Sequence, residues 1–422
     1  MAGSVLAVRS ADIRIVHLEV NMGEQMRISL EEAVEKIKKR TARLTAMSKK
    51  LEDINGEVAA EDILAANDQP PFPRSPLDGY ALRGEDTEGA SGDAPVKLRV
   101  IGKLCAGDST PYCVNPGEAV RIMTGAPIPQ GANAVIRQED TDYGETEVQL
   151  YRAVKPFQNY CCQGEDYRKG DLLIEKGTVW DHTAAALAAS NGISEIRVYP
   201  KPHIAVLVTG DELVEPGRPL TFGKIYNSNV TLIRSRLREL GITCVSRHVP
   251  DETRAVKEEI LRRLETVDGI ITTGGVSVGE KDIMNEVLPE LNAEILFEGI
   301  AMKPGSPAKY AVVKGKPLLA LSGNPFAAAA TLELLGRPML AALSGNEKLE
   351  CIKKKAQIEN SFPKSSPQRR FIRGTYRDGK VTIPHQHSSG QLASMLGCNC
   401  MVDIPENSGP VCEGSDVTVW ML

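Results

Sequence analysis

A glycine-rich loop follows a run of apolar residues near the middle of the chain, over residues 273–282. Glycine lets the backbone approach a ligand closely, so that successive N–H groups can surround an oxyanion. Thr273 and Ser277 add hydroxyl donors, and a helix beginning near Glu280 would direct the positive end of its dipole at a phosphate. The loop therefore predicts an anion site for a phosphorylated cofactor. Its predicted ligand-contacting residues are Gly274, Gly275, Ser277 and Gly279.

Three other apolar runs also end in glycine or a polar residue. Glu212, Asp251 and Asn324 each follow one of these runs closely. Ligands of an open parallel sheet bind outside the carboxyl ends of its strands, so these residues are expected to meet the glycine-rich loop in one crevice. Carboxylates repel a phosphate unless a cation lies between them, so the acids predict Mg²⁺ held by Asp251 and Asp282. The alternative is an ordinary strand-to-helix turn whose acids cap helices.

A second group of candidate residues lies on three proline- and glycine-stiffened loops before this region. Asp78 is in the loop 73–81, Thr124 is in the loop 121–129, and Asp166 follows Gly164 and Glu165. Turn chemistry in a β-rich module explains the prolines and glycines. It does not explain acids and a threonine fixed on such rigid backbone, so Asp78, Thr124 and Asp166 are functional candidates.

The pattern of apolar residues divides the chain into regions that differ in predicted secondary structure. Residues 199–345 alternate buried strands with amphipathic helices, which predicts a doubly wound α/β domain with a parallel sheet. Residues 65–160 and 346–422 carry short strands between glycine and proline turns, which predicts a β-rich domain and a β-barrel-like C-terminal domain. A discontinuous domain is predicted from residues 22–64 and 161–198, and the role of residues 1–21 stays open.

The composition excludes several classes of protein. The 422 residues carry a formal net charge of -5 with the two signs mixed, so a nucleic-acid partner is not expected. No run of about 18 apolar residues and no signal-peptide core are present, so no membrane span is expected and the predicted location is the cytoplasm. The nine cysteines are expected to be reduced thiols. A metal site from His385, His387 and the cysteines after them is the less favoured alternative.

The order and length of these motifs resemble the MoeA family of molybdopterin molybdenumtransferases. This family is homologous to the E domain of gephyrin and to the plant Cnx insertion domain. The resemblance covers residues 26–420. The motifs that carry it are DGYA (78–81), RIMTGAPIPQGANAV (121–135), GED (164–166), TGDEL (209–213), TGGVSVGEKD (273–282), KPGSP (303–307) and GNP (323–325).

The resemblance implies an activity and an assembly. The activity is insertion of molybdate into adenylylated molybdopterin, with Mg²⁺-dependent release of AMP. The assembly is a homodimer whose site uses loops from both subunits, with Asp78, Thr124 and Asp166 facing the partner's crevice. Molybdopterin adenylyltransferase and molybdoenzyme apoproteins are possible further partners. The residues expected to act in the reaction are Asp78, Thr124, Asp166, Glu212 and Asp282.

Molybdate is a small tetrahedral oxyanion, so its pocket is expected to offer N–H groups, hydroxyls and cations. The candidates are Lys303, Ser306, Ser277, Arg369, Arg370, Arg373, Ser388 and Ser389. The chain departs from the family here. Ser306 stands where the family commonly has lysine, Ser322 replaces a proline, and Ala327 replaces a serine. The family pattern Arg-x-Glu-Phe-x-Arg appears as residues 368–373, QRRFIR, and the choice between molybdate and tungstate stays open.

Two other functions remain as alternatives. A molybdopterin adenylyltransferase would share the doubly wound domain and its glycine-rich loop, but it would not need residues 26–195 or 346–422. A gephyrin-like scaffold without catalytic activity would need the fold but not the acids. The acids Asp78, Glu212, Asp251 and Asp282 therefore favour the transferase.

Overall fold

The computed structural model describes residues 27–276 and 282–422, which divide into two compact units. The first unit comprises the described residues of Met1–Ala60, Gly177–Asp181 and Glu195–Leu422, and the second comprises Glu61–Lys176 and His182–Ser194. Residues 1–21 and the predicted ligand contacts Ser277 and Gly279 lie outside the described residues.

A six-stranded sheet forms the centre of the first unit. Its strands in spatial order are Thr243–Val249, His203–Thr209, Gly269–Thr273, Lys316–Leu321, Lys309–Val313 and Glu294–Glu298. The first four strands pair in parallel with one another. Lys309–Val313 runs the opposite way and pairs antiparallel with Lys316–Leu321 on one side and with Glu294–Glu298 on the other. The parallel strands are the continuous apolar runs of the sequence, because both of their faces are buried. The predicted doubly wound α/β domain is confirmed.

Helices cover both faces of this sheet. Along His203–Thr209, Ile204, Val206 and Val208 enter one hydrophobic core, and Ala205 and Leu207 enter the other. The first core also takes residues of the helices Ser228–Glu239, Pro325–Thr331 and Arg337–Ser344, with the π-helical segment Leu332–Gly336 between the last two. The second core takes residues of Thr253–Leu264 and Met284–Glu290. Strand side chains alternate between the two faces, so each strand contributes to both cores.

The N-terminal helix Leu30–Arg40 begins as its sequence predicts. Ser29 caps it, since its hydroxyl accepts a hydrogen bond from the Glu32 N–H at 3.1 Å. Leu30 and Ile37 are buried in the first core. The helix therefore belongs to the first unit, whereas the alanine-rich helix His182–Ser190 belongs to the second. The discontinuous domain 22–64 and 161–198 stays a prediction, as do the other domain boundaries.

The C-terminal region forms a closed β-barrel. Its strands in spatial order are Met302–Lys303, Arg369–Arg377, Lys380–Thr382, Lys353–Ile358, Asp416–Met421 and Cys400–Ile404. Closure comes from an additional pairing of Arg369–Arg377 with Cys400–Ile404. The first strand, Met302–Lys303, belongs to a segment between strands of the central sheet, so the barrel and the α/β domain share backbone hydrogen bonds.

The second unit is built on a five-stranded sheet. Its strands in order are Ala134–Arg137, Gly79–Leu82, Glu118–Ile122, Val96–Leu104 and Glu147–Leu150. Gly79–Leu82 is buried on both faces, with Tyr80 and Leu82 in one core and Ala81 in another. A side chain at Gly79 would place its Cβ 1.9 Å from the Ile136 carbonyl oxygen, so only glycine fits there.

The remaining elements are short. The strands are Met47–Lys50, Val58–Ala59 and Glu195–Tyr199 in one sheet, with the pairs Ile63–Leu64 and Leu172–Ile174, and Leu213–Val214 and Ile225–Tyr226. The 3₁₀ helices are Leu51–Asp53, Gly84–Thr87, Gln138–Asp140, Glu347–Leu349 and Ala393–Met395.

One helical stretch of the described chain, Pro325–Ser344, has the length and apolar composition of a membrane span. Its most apolar part is 89% buried inside the protein. The burial is that of a core helix.

Candidate functional site

Three strand ends of the central sheet converge on Gly274. Its φ is +89°, and a Cβ there would lie 2.1 Å from the Thr209 carbonyl oxygen. A Cβ on Gly323 would be 3.7 Å from the Gly274 Cα. At Gly275 a Cβ would lie 2.4 Å from the Ile283 Cγ2. Side chains are excluded at Gly274 and Gly275, which leaves the backbone N–H groups of this edge accessible for a close ligand.

Asn229 links two of these strand ends, and it is not among the site residues predicted from the sequence. Its Nδ2 donates to the Thr273 Oγ1 at 3.1 Å and to the Gly323 carbonyl oxygen at 2.8 Å. Its Oδ1 is buried and has no hydrogen-bond partner among residues 27–276 and 282–422. A buried unpaired acceptor is costly, so a ligand that donates a hydrogen bond here would be stabilised. The available signal was a polar residue on the buried face of an amphipathic helix, next to Val230 and Ile233.

Ser322, one of the departures from the family pattern, takes part in the same edge. Its carbonyl oxygen accepts a hydrogen bond from the Thr273 Oγ1 at 3.0 Å, and its hydroxyl accepts from the Asn324 N–H at 3.4 Å. Asn324 is exposed and precedes the helix Pro325–Thr331. The serine therefore supports the turn that presents Asn324 at the carboxyl edge.

Two of the predicted acids lie at this edge. Asp251 follows the strand Thr243–Val249, and one of its carboxylate oxygens is 3.7 Å from the position of a Cβ on Gly275. The carboxylate of Glu212 is exposed and lies beside Gly210, where a Cβ would meet it at 2.8 Å. Both acids are therefore placed at the edge that the glycines leave open.

Asp282 is placed differently from the other acids. Its carboxylate is buried, forms an ion pair with the Lys309 Nζ at 3.0 Å, and accepts a hydrogen bond from the Met284 N–H at 3.1 Å. Lys309 also donates to the side chain of Asn285. The described residues contain no group of three or more histidine, cysteine or acidic side chains arranged to hold a metal ion. Mg²⁺ commonly takes part of its ligands from substrate phosphates and water, so a few acids at this edge would be enough protein ligands for it.

A cation-lined cavity of about 500 Å³ lies in the same unit. Its lining residues are Lys303, Pro304, Phe326, Lys364, Arg370, Phe371, Ile372, His385, Gln386, His387, Ser388, Ser389 and Gln391. The cavity brings together Lys303, Arg370, Ser388 and Ser389 from the predicted oxyanion pocket. It also contains Lys364 and two histidines that were not predicted to contact an anion.

Three other residues predicted for this pocket lie outside the cavity lining. Arg369 forms ion pairs with Asp403 at 2.7 Å and Glu31 at 2.6 Å. Arg373 is 1% exposed, and its guanidinium donates hydrogen bonds to the Ser394 Oγ and to backbone carbonyls. The Ser306 hydroxyl donates to the Met302 carbonyl oxygen. Arg369 therefore connects barrel strands to each other and to the helix Leu30–Arg40, and Ser306 stabilises its own turn. Arg373 is bonded to the loop beside it, although its Nη1 is buried without a partner among the described residues.

In the second unit, Asp78 and Thr124 are in direct contact. The Asp78 Oδ1 accepts hydrogen bonds from the Thr124 N–H at 2.7 Å and from its hydroxyl at 2.8 Å. These bonds, with the backbone N–H contributing most, hold the pKa of the Asp78 carboxyl below its ordinary value. Asp166 is exposed on another loop of this unit, where its N–H donates to the Gln69 carbonyl oxygen at 2.9 Å.

Replacing Thr124 with valine is expected to raise the pKa of Asp78 part of the way toward its ordinary value, because the backbone donor remains. Because the pKa of Asp78 is lowered in the folded protein, its hydrogen bonds with Thr124 stabilise the fold above about pH 4. This stabilisation is lost as the pH falls through the pKa that Asp78 has in the folded protein. An NMR titration of the Asp78 carboxyl carbon measures the shift. Thr110→Val in the same unit is the control, and an unchanged titration in Thr124→Val would contradict the assignment.

Comparisons with known proteins agree with this arrangement along the chain. Residues 28–192 match the family model of the MoeA N-terminal region, domains I and II. Residues 205–342 match a probable molybdopterin binding domain, and residues 355–422 match the MoeA C-terminal region, domain IV. The three matches follow the order expected from the sequence motifs.

Whole-chain relatives give the same result. The chain is 36% identical over 383 residues to a molybdopterin molybdenumtransferase of Staphylococcus epidermidis, covering 90% of this chain and 91% of that protein. It is 36% identical over 386 residues to one of Staphylococcus aureus, covering 90% and 92%. A crystal structure of the molybdopterin biosynthesis MoeA protein of Pyrococcus horikoshii superposes with a TM-score of 0.81 at 33% identity, covering 94% and 99% of the two chains. With its fold, its carboxyl-edge residues and these relatives in agreement, the chain belongs to the MoeA family.

Proposed function

We propose that this protein is a molybdopterin molybdenumtransferase, which inserts molybdate into adenylylated molybdopterin and releases AMP in a Mg²⁺-dependent reaction. The observation that carries the proposal is the cation-lined cavity at Lys303 and Arg370, in the same unit as the glycine-lined edge at Gly274. An enzyme that joins an oxyanion to a pyrophosphate-bearing substrate needs both kinds of site. The curated relatives bear this enzyme name.

The carboxyl edge suits the pyrophosphate of the substrate. Backbone N–H groups at Gly274 and Gly275 can approach phosphate oxygens because no side chain fits there. Asp251 and Asp282 are the proposed protein ligands of Mg²⁺, and Asp251 is the more accessible of the two. When bound, Mg²⁺ would stabilise the charge that develops on phosphate as AMP leaves. Glu212 would act from the exposed side of the edge, and Asn229 would orient the substrate through its buried acceptor.

The cavity suits the metal oxyanion. Lys303 supplies a fixed positive charge, and the hydroxyls of Ser388 and Ser389 can donate to oxygens of the anion. The backbone there is tied to the α/β domain, since the Phe326 N–H donates to the Ser389 carbonyl oxygen at 3.0 Å. Molybdate and tungstate are the anions that this site would accept as substrate.

The assembly and location are also proposals. We propose a homodimer in which Asp78, Thr124 and Asp166 face the crevice of the partner subunit, which would explain acids on such stiff loops. Molybdopterin adenylyltransferase, which makes the substrate, and molybdoenzyme apoproteins, which receive the product, are the proposed transient partners. A reaction between cofactor intermediates and apoproteins is expected in the cytoplasm.

An assay of the full chain tests the function. The protein is incubated with adenylylated molybdopterin, Mg²⁺ and molybdate, and AMP is measured with and without molybdate. Molybdate-dependent AMP release is the expected result. Consumption of ATP with unadenylylated molybdopterin would instead indicate an adenylyltransferase. A folded protein that gives neither reaction would favour a non-catalytic scaffold.

A further inference from the structure

An aromatic side chain stands fully exposed in the segment that connects the strand His203–Thr209 to the helix Ser228–Glu239. This residue is Phe222, and its ring packs against no other part of the described chain. Three large apolar side chains close to it in sequence are exposed as well, those of Leu220, Ile225 and Tyr226. A single exposed apolar residue is ordinary, but a group of them is typical of a site that receives a ligand or a partner.

The backbone holds this aromatic ring in a defined place. Residues 221–224 form a β-turn, closed by a hydrogen bond from the Lys224 N–H to the Thr221 carbonyl oxygen at 3.1 Å. Gly223 takes a φ of +81° at the third position of the turn, as a type II turn requires. Phe222 therefore occupies the corner of a turn whose shape is fixed by the glycine that follows it.

The contacts of Lys224 attach this turn to the carboxyl edge of the central sheet. The Lys224 Nζ donates to the Asp211 carbonyl oxygen at 2.6 Å, and the Asp211 Oδ1 accepts from the Asp251 N–H at 3.3 Å. The Ile225 N–H, directly after the turn, donates to the Glu212 carbonyl oxygen at 2.9 Å. The turn is therefore tied to the two acids that the proposed function places beside the pyrophosphate.

The proposed substrate carries two ring systems, a pterin and an adenine, on opposite sides of its pyrophosphate. Molybdate has to meet the molybdopterin half, and the cation-lined cavity at Lys303 is the proposed site of the metal oxyanion. Phe222 is not among the described residues that line this cavity. The adenine, on the other side of the pyrophosphate, is therefore the ring that the turn is placed to receive.

We propose that Phe222 is a stacking platform for the adenine of the adenylylated substrate, and that it selects a nucleotide over phosphate esters without a base. The identity of the substrate rests on the proposed function. Stacking uses the flat face that every nucleobase has, so it needs no hydrogen bond to the edge of the base. The platform therefore supplies affinity for the base, while the glycine-lined edge supplies affinity for the phosphates.

Calorimetric titration of the full chain with AMP and with ribose 5-phosphate, both in the presence of Mg²⁺, separates these two contributions. We expect Phe222→Ala to bind AMP at least about fivefold more weakly than the parent and to bind ribose 5-phosphate within about twofold of it. Phe222→Trp keeps a stacking ring, so its affinity for AMP should stay within about twofold. Phe157→Ala is the control, since Phe157 is also exposed but belongs to the second unit. Both of its affinities should match those of the parent.

Phe222→Trp also provides a spectroscopic readout of stacking. The two tryptophans of the chain, Trp180 and Trp420, are buried, so the added indole is the exposed one. AMP should quench the fluorescence of Phe222→Trp, and ribose 5-phosphate should leave it unchanged. Phe157→Trp should respond to neither ligand. Equal fluorescence of Phe222→Trp with and without saturating AMP would overturn the platform.

The platform and the proposed function fail in different ways. A parent that does not bind AMP would overturn the platform, as would a Phe222→Ala variant that loses affinity for both ligands equally or for neither. A lower sedimentation coefficient of Phe222→Ala would show that the ring is buried between copies of the chain, which also rejects the platform. Base-dependent AMP binding through Phe222 in a protein that never releases AMP would support the platform and reject the transferase. If Phe222→Ala does not fold, the quenching of Phe222→Trp decides the result.

Discussion

Replacing Asp251 with asparagine is expected to slow Mg²⁺-dependent AMP release about a hundredfold while the protein stays folded. Asp251 lies at the carboxyl edge, with one carboxylate oxygen 3.7 Å from the position of a Cβ on Gly275. Asparagine keeps the shape of the side chain but carries no charge, so it binds Mg²⁺ more weakly. AMP release measured over a series of Mg²⁺ concentrations should show a higher requirement for the ion as well as a lower maximal rate.

The neighbouring residue provides the control for this experiment. Glu252 is exposed and precedes the helix Thr253–Leu264 without a side-chain capping hydrogen bond. Glu252→Gln removes the same charge one residue away, and its rate should stay within about twofold of the parent because Glu252 is not a proposed ligand of the ion. If Asp251→Asn also kept its rate and its Mg²⁺ requirement, Asp251 would not be a metal ligand.

Replacing Asp282 with alanine is expected to lower the free energy of unfolding by about 3–5 kcal/mol. The carboxylate of Asp282 is 2% exposed and the Lys309 side chain is 6% exposed, at an Nζ–oxygen distance of 3.0 Å. The substitution leaves a buried ammonium without its main counter-charge and removes the acceptor for the Met284 N–H. Urea denaturation followed by circular dichroism measures the change.

Glu298→Gln is the matched control for Asp282→Ala. Glu298 also contacts the Lys309 Nζ, at 3.4 Å, but its side chain is 42% exposed, so its removal should cost less than about 1 kcal/mol. Equal losses in the two variants would show that burial does not decide the strength of these pairs. If the free energy of unfolding falls more in Asp282→Ala than in Glu298→Gln, as expected, a loss of activity in Asp282→Ala can be explained by its weakened fold. Asp251→Asn is then the better test of the metal site.

The fold was predictable from the sequence where burial is continuous. The runs that form His203–Thr209 and Gly269–Thr273 are apolar over most of their length, because both faces of a parallel strand between two helical layers are buried. Ser29 was recognisable as a cap because its role depends only on residues three positions apart. Signals of this kind are local, and they were confirmed.

The candidate site was less predictable because its chemistry depends on distant contacts. The sequence predicts Asp282 as a metal ligand, which stays a prediction, but it gives no sign of the ion pair with Lys309, because Lys309 comes from an antiparallel strand that no local pattern pairs with Asp282. Among three closely spaced arginines, the sequence does not show which guanidinium is already paired. Only the barrel closure reveals that Asp403 engages Arg369 while Arg370 faces the cavity.

The strand Met302–Lys303 has a further consequence for the thermodynamics of anion binding. It joins the barrel by backbone hydrogen bonds while its own chain continues into the central sheet, so the two walls of the cavity are connected through the backbone. Movement of the walls as separate bodies would break these hydrogen bonds, so we expect the anion to enter a preorganised cavity. Little conformational entropy is then lost on binding, and the rate of anion entry depends on diffusion and on desolvation of the anion.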